Sequence, residues 1–150
     1  MKISTKFDAG AIIVRDLSHP ENIRLALRPD NAAPEFKQWF YFRLQGAAYT
    51  HCVMHIEDAH ESAYPDGWDG YQAVASYDRQ NWFRVPTQYE NGKLIINHTP
   101  LSNSIYYAYF EPYSSEQHLN LLGEAQGSGL CQIDDLGSTI QERDINLLTI

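Results

Sequence analysis

The stretch from position 28 to 43 reads RPDNAAPEFKQWFYFR, and its last six residues, QWFYFR at 38–43, form the densest aromatic patch of the chain. Successive side chains of an extended strand point to opposite faces. Phe40, Phe42 and Leu44 then share one face, and Trp39, Tyr41 and Arg43 share the other. The first trio suits the core of a sandwich. The second suits a partner surface, because an aromatic pair beside an arginine is costly to leave in water but can stack and hydrogen-bond when covered.

Working outward, the same period of two recurs. Ile23, Leu25 and Leu27 alternate with Asn22, Arg24 and Ala26 until Pro29 and Asp30 break the run. Cys52, Met54 and Ile56 alternate with His51, Val53 and His55, and Ile105, Tyr107 and Tyr109 with Tyr106, Ala108 and Phe110. Strands at 82–85 and 94–98 are expected to flank a loop holding Asn91 and Gly92, a pair that accepts the positive φ angles of a tight hairpin. Many short strands, with no helix of useful length before residue 114, predict an all-β, antiparallel β-sandwich.

The Arg28-Pro29-Asp30 turn, the block from Gln38 to Arg43, and an aromatic-rich strand closing on Glu111-Pro112-Tyr113 together resemble the N-terminal domain of the cytosolic carboxypeptidase branch of the M14 zinc metallocarboxypeptidases. The resemblance covers residues 7–113 and is most specific at 38–43. It departs just before the Gln-Trp pair, where relatives often carry histidines and this chain has Glu35, Phe36 and Lys37. It implies an accessory domain over residues 1–113, followed at 114–150 by a linker helix and the start of an α/β carboxypeptidase domain that this chain does not contain. The implied reaction is hydrolysis of a C-terminal peptide bond by zinc-activated water, and family members trim glutamates from protein tails. By the same resemblance the partners are the chain's own C-terminal catalytic domain and a peptide or protein C-terminus as substrate. Zinc would belong to the parent protein, with no cofactor in this chain. Trp39, Tyr41 and Arg43, or the corner at Pro112 and Tyr113, are the candidates for docking that domain and lining the approach to its active site.

The tail differs in character. Ser114 and Ser115 ahead of Glu116, Leu119, Leu121 and Leu122 predict a short helix, serine being able to take up free N–H groups at its start. Gly127 to Gly129 then loosen the chain. Glu116, Glu124, Asp134, Asp135, Glu142 and Asp144 stand against Arg143 alone, which reads as a solvated, linker-like acidic stretch. Residues 145–150, INLLTI, are nearly continuous apolar sequence, the pattern of a strand covered on both faces in a parallel sheet. That ending is expected to be the first strand of the next domain.

Composition bounds the function. The chain of 150 residues is 43% hydrophobic and 13% aromatic, enough for a packed core, and its net charge is −8. That charge argues against nucleic acid or an anionic membrane as the main partner, since both demand a basic footprint. Two cysteines far apart, Cys52 and Cys131, make a poor disulfide framework, and no apolar run is long enough for an export signal or a spanning helix. A cytoplasmic protein is expected, and the sequon at Asn97-His98-Thr99 reads as chance.

Catalytic motifs are sparse. None of the six histidines has Glu three residues later, the closest being His55 with Asp58. His51 and His55 share a strand face but are separated by ~13 Å at ~3.3 Å per residue, too far to grip one ion through bonds of ~2 Å. His55 and Glu57 form a conceivable half site, better read as a polar strand face, and His19-Pro20-Glu21 reads as a surface turn. Nucleophile elbow, phosphate loop and Cys-x-x-Cys pattern are all missing. The loop 64–71, YPDGWDGY, carries three aromatics. It either folds Trp68 back over the sandwich edge or presents Trp68 and Tyr71 for recognition beside Asp66 and Asp69. The second option supports an alternative function, a free-standing module that stacks carbohydrate or peptide on Trp68, Tyr71 and Trp82.

Overall fold

The computed structural model describes residues 1–30 and 33–150; Asn31 and Ala32, within the turn ahead of the aromatic block, lie outside the described residues. The chain divides into two compact units, Met1–Pro112 and Tyr113–Ile150.

In the first unit ten strands among the described residues build two five-stranded sheets. The first sheet runs β1 (Lys2–Ser4), β4 (Tyr41–Gln45), β10 (Ser104–Ala108), β6 (Val74–Ser76) and β7 (Phe83–Arg84). The second runs β2 (Ile13–Asp16), β3 (Ile23–Ala26), β5 (Cys52–Ile56), β9 (Lys93–His98) and β8 (Thr87–Glu90). The alternations read from sequence supply the filling between them. Ile23, Leu25, Leu27, Phe40, Phe42, Leu44, Met54, Ile56, Leu94, Ile96, Tyr107 and Trp68 are all less than 2% exposed and belong to one core. An all-β sandwich results.

The antiparallel expectation needs one correction. β3 and β5 pair in parallel, Ile23 opposite Met54. The intervening β4 crosses to the first sheet, so the chain re-enters the second sheet beside β3 running in the same direction, as a parallel pair requires of its crossover. A second correction concerns the hairpin. Asn91 and Gly92 form its turn at φ 51° and 77°, but the strand leading in is β8, and the segment expected at 82–85 is β7 of the other sheet. Pro86, which has no N–H for a ladder, separates the two.

The aromatic block also starts its ladder later than expected, at Tyr41 instead of Gln38. The residues before it are held by neighbouring loops. The Gln38 side chain accepts from Tyr64 N–H at 2.9 Å and donates to Tyr64 C=O at 3.2 Å, imitating a ladder pair. Ala63 N–H donates to Lys37 C=O, and Tyr109 N–H to Phe40 C=O.

In the second unit α1 (Ser115–Gly127) starts with a capping box: Gln117 N–H donates to Ser114 Oγ while Ser114 N–H donates to the Gln117 side chain. The acidic stretch beyond it is not a linker throughout. It supplies β11 (Gln132–Ser138), which pairs antiparallel with β12 (Asp144–Thr149). The apolar ending therefore lies in a two-stranded antiparallel ribbon, where a parallel, doubly covered strand was expected. β12 follows β11 closely enough in sequence for a hairpin to form, and a single ribbon leaves Ile145 and Leu147 exposed.

Candidate functional site

β4 displays its odd-numbered side chains on the outer face of the first sheet, where the sequence places Tyr41 and Arg43. The chain itself covers much of that face. Phe7 packs edge-on to Tyr41 at 4.8 Å, Trp82 at 5.9 Å, and Tyr106 of β10 lies tilted at 6.1 Å, so Tyr41 is buried. The partner surface expected for this ring is supplied from within. Trp39 and Arg43 stay half-buried on either side.

Arg79 completes the cluster from the turn after β6. It is exposed and sits at φ 64°, in the left-handed region, with its guanidinium carbon 5.8 Å from the centre of the Tyr106 ring. Asp78 fixes that turn: its carboxylate accepts from the N–H groups of Gln80 and Asn81 and from the Asn81 amide, each at 2.8 Å. These bonds hold the Asp78 carboxyl far below the usual carboxylate range, those from Asn81 foremost. The Arg43 guanidinium lies 6.0 Å from the same Tyr106 ring. Burial raises the Tyr41 phenol although Arg79 stands beside its hydroxyl, so that group stays protonated at neutral pH. Two donors on this face, Arg43 Nε and Trp82 Nε1, are buried without a partner. Each such orphan costs roughly 1–3 kcal/mol, and both atoms are closed off from the surface.

At the edge of this cluster the Trp39 ring stands 6.2 Å from Tyr41, its indole N–H donates to Ala9 C=O at 2.8 Å and it meets Phe110 edge-on at 4.9 Å. Phe110 is exposed, Pro112 is buried and Tyr113 is exposed. Tyr113 belongs to the second unit and faces His118, with ring centres 6.3 Å apart.

The loop 64–71 takes the first of its two readings. Pro65–Trp68 is a turn of 3-10 helix that drives Trp68 into the core, where its N–H donates to Ala59 C=O at 3.0 Å and Ser62 Oγ at 2.8 Å. Tyr71 donates to Tyr109 C=O at 2.5 Å, and Trp82 packs on Tyr41. Trp68 is thereby lost as a stacking platform, which corrects the three-ring surface of the alternative reading.

The polar face of β5 is occupied by ion pairs. Glu57 accepts from both Arg24 Nε at 2.9 Å and Arg24 Nη2 at 3.2 Å, with Lys93 at 3.9 Å. The Arg24 bond is the main cause of a lowered Glu57 pKa, and His55 is lowered by burial and then by Lys93. Among the described residues no group of three or more His, Cys, Asp or Glu could hold a metal ion. Sequence reasoning singled out Trp39, Tyr41 and Arg43 but not Phe7, Arg79 or Tyr106 as members of the cluster. Tyr106 shares a parity with Ala108 that could have revealed it, whereas a turn arginine carries no periodic signal.

Comparison with known proteins matches residues 3–110 to the family described as the cytosolic carboxypeptidase N-terminal domain. The whole chain is 38% identical to an uncharacterized protein of Zymomonas mobilis, of which it covers 39%. A metallo-carboxypeptidase from Burkholderia cenocepacia is 52% identical with a TM-score of 0.94, over 98% of this chain and 38% of that one. A metallo-carboxypeptidase from Pseudomonas aeruginosa, solved with (2-guanidinoethylmercapto)succinic acid, is 46% identical with a TM-score of 0.90, over 99% of this chain and 40% of that one. This chain thus spans about two fifths of the length of these relatives.

Proposed function

Because the chain belongs to the cytosolic carboxypeptidase N-terminal domain family, we propose that it serves as the accessory domain of a longer, cytoplasmic metallocarboxypeptidase that removes residues from the C-terminus of peptides or proteins. The observation that carries this reading is the superposition of nearly all of this chain on only 38% of a metallo-carboxypeptidase at 52% identity. The catalytic zinc is assigned to the remainder of the parent protein, since the described residues lack a ligand set for it. Residues 1–113 are the accessory domain on this reading, and residues 114–150 open the catalytic one. Glutamate enters as a candidate C-terminal residue through the family resemblance alone.

The domain's contribution is positional. Trp39 and Arg43, backed by the buried Tyr41, or else the corner at Pro112 and Tyr113, dock the catalytic domain and form one wall of the approach to its active site. Their chemistry supports this: a half-buried indole and a half-buried guanidinium gain stacking contacts when a second surface covers them.

The test is the intact mass and zinc content of the protein from its natural source, with release of C-terminal residues followed by mass spectrometry. A species well above 17.2 kDa, carrying about one zinc per chain as a single catalytic site requires and trimming peptides until a chelator is added, is expected. A metal-free product of 17.2 kDa would overturn the reading.

A further inference from the structure

The two sheets end in edges of unequal finish. In the first sheet the edge strands β1 and β7 have only three and two residues. In the second, β2 carries a register shift between Val14 and Asp16, whereas β8 pairs with β9 without a shift over all four of its residues. Short or bulged edges resist a further strand, and a regular one accepts it. The register shows which groups of β8 are free. The turn at Asn91 and Gly92 closes between Glu90 and Lys93, the hydrogen-bonded pair of a two-residue hairpin. Bonded pairs alternate along an antiparallel ladder, and Asn97 N–H donating to Pro86 C=O at 2.9 Å keeps the same parity. Gln88 and Glu90 therefore bond to β9. Thr87 and Tyr89 turn their main-chain N–H and C=O groups outward, where none has a partner among the described residues.

Beside this edge runs an open groove of about 440 Å³, with β8 along one side and Trp68, Gly70 and Tyr71 along the other. The far wall is fixed: Trp68 is bonded to Ala59 and Ser62, and Tyr71 to Tyr109. A Cβ on Gly70 would meet nothing within 4 Å, so the groove is clear there. Charge differs along it. At the turn end Glu90 is exposed and makes no salt bridge among the described residues, because Lys93 opposite it approaches Glu57 instead, at 3.9 Å. At the Thr87 end, Ala73 N–H donates to the Thr87 hydroxyl, and Arg84 donates to the neighbouring Gln72 C=O.

A row of free N–H and C=O groups at the two-residue period of a strand is matched by an extended backbone and by no compact ligand. The unpaired carboxylate at the turn end is matched by a basic side chain. We propose that the free edge of β8 takes an extended segment of a partner polypeptide as a sixth strand of the second sheet, with a lysine or arginine of that segment against Glu90. The site uses residues other than Trp39 and Arg43, so it goes beyond the docking role given to them above.

The experiment is a titration of the 150-residue chain at constant ionic strength with an acetylated, amidated heptapeptide of alternating lysine and threonine, followed by NMR of the backbone amides. The amide signals of Thr87 and Tyr89 should move, saturate and gain protection from hydrogen exchange. The indole signal of Trp39, bonded to Ala9 C=O on the first sheet's side, should stay fixed and report an intact fold. The same peptide N-methylated throughout keeps its charge but has no N–H to donate, so it separates strand addition from attraction to a chain of net charge −8; it should not bind. Glu90→Gln should weaken the lysine peptide about threefold, as loss of an exposed ion pair does. A peptide with glutamate in place of lysine should bind more weakly still. No saturable movement at Thr87 and Tyr89, equal binding of the N-methylated peptide, or equal binding of the glutamate peptide would each overturn the proposal. So would movement of these amides on concentrating the chain without peptide, with a doubled mass in sedimentation, which would give the edge to a second copy.

Discussion

His98 shows how one residue ties the two sheets together. Its Nδ1 lies 2.9 Å from the hydroxyl of Tyr107, one on β9 and the other on β10. Burial raises the Tyr107 phenol and lowers the His98 imidazole, so both groups are uncharged at neutral pH, and the histidine tautomer sets which of them donates in this bond. The sign of the pH effect follows. The unfolded chain binds a proton near the ordinary histidine value of about 6.5, while the folded chain does so only at lower pH. Stability is therefore full above about pH 6.5 and is lost as pH falls through the folded value. Urea unfolding at about pH 8 and about pH 5 should show this loss, and His98→Gln should shrink it. His55, also lowered, accounts for the remainder; an unchanged difference in His98→Gln would sink the assignment. Trp68 carries a second prediction at this scale. Trp68→Phe removes the donor to Ala59 and Ser62 and should cost about 1–3 kcal/mol, read from the urea midpoint. The periodicity of nearby strands could not have placed this residue, because a loop tryptophan has no parity.

Among the elements, β4 was the most legible. Its core-facing parity follows from sequence because Phe40, Phe42 and Leu44 have nowhere else to go, and all three are fully buried. Phe42→Ala should cost about 3–5 kcal/mol through lost burial and an unfilled cavity, measured by thermal or urea unfolding. The β8–β9 turn was equally legible in its residues, though not in its leading strand. Gly92 sits at φ 77°, and a Cβ there would come within 3.1–3.2 Å of the His60 ring. Gly92→Ala should therefore destabilise by about 1–2 kcal/mol, visible as a lower melting temperature, and a neutral outcome would mean the hairpin can shift. The capping box of α1 was half-visible: Ser114 announced it, while Gln117 as its partner emerged only from the coordinates.

For the molecule as a whole, the buried core that fills the sandwich lies within Met1–Pro112. A chain ending at residue 113 should thus keep a cooperative unfolding transition, whereas collapse to a molten state would show that residues 114–150 are needed for the sandwich. In the parent protein, Trp39→Ala combined with Arg43→Ala should lower kcat/KM about tenfold or more, or lower the melting temperature. If both stayed unchanged, the docking role of this face would be wrong. Core parity at 23–27, 40–44, 52–56 and 105–109, the helix start and the family resemblance were legible in the sequence alone, because each depends on residues close together along the chain and on a period of two or on local turn chemistry. Tertiary structure alone decided the parallel β3–β5 pair, the burial of Trp68, the antiparallel ribbon at the end, and the convergence of Arg43 and Arg79 on Tyr106. The ribbon is a local hairpin whose pairing the apolar run at 145–150 does not specify; the others are meetings between elements apart in sequence, set by how the sheets close on one another.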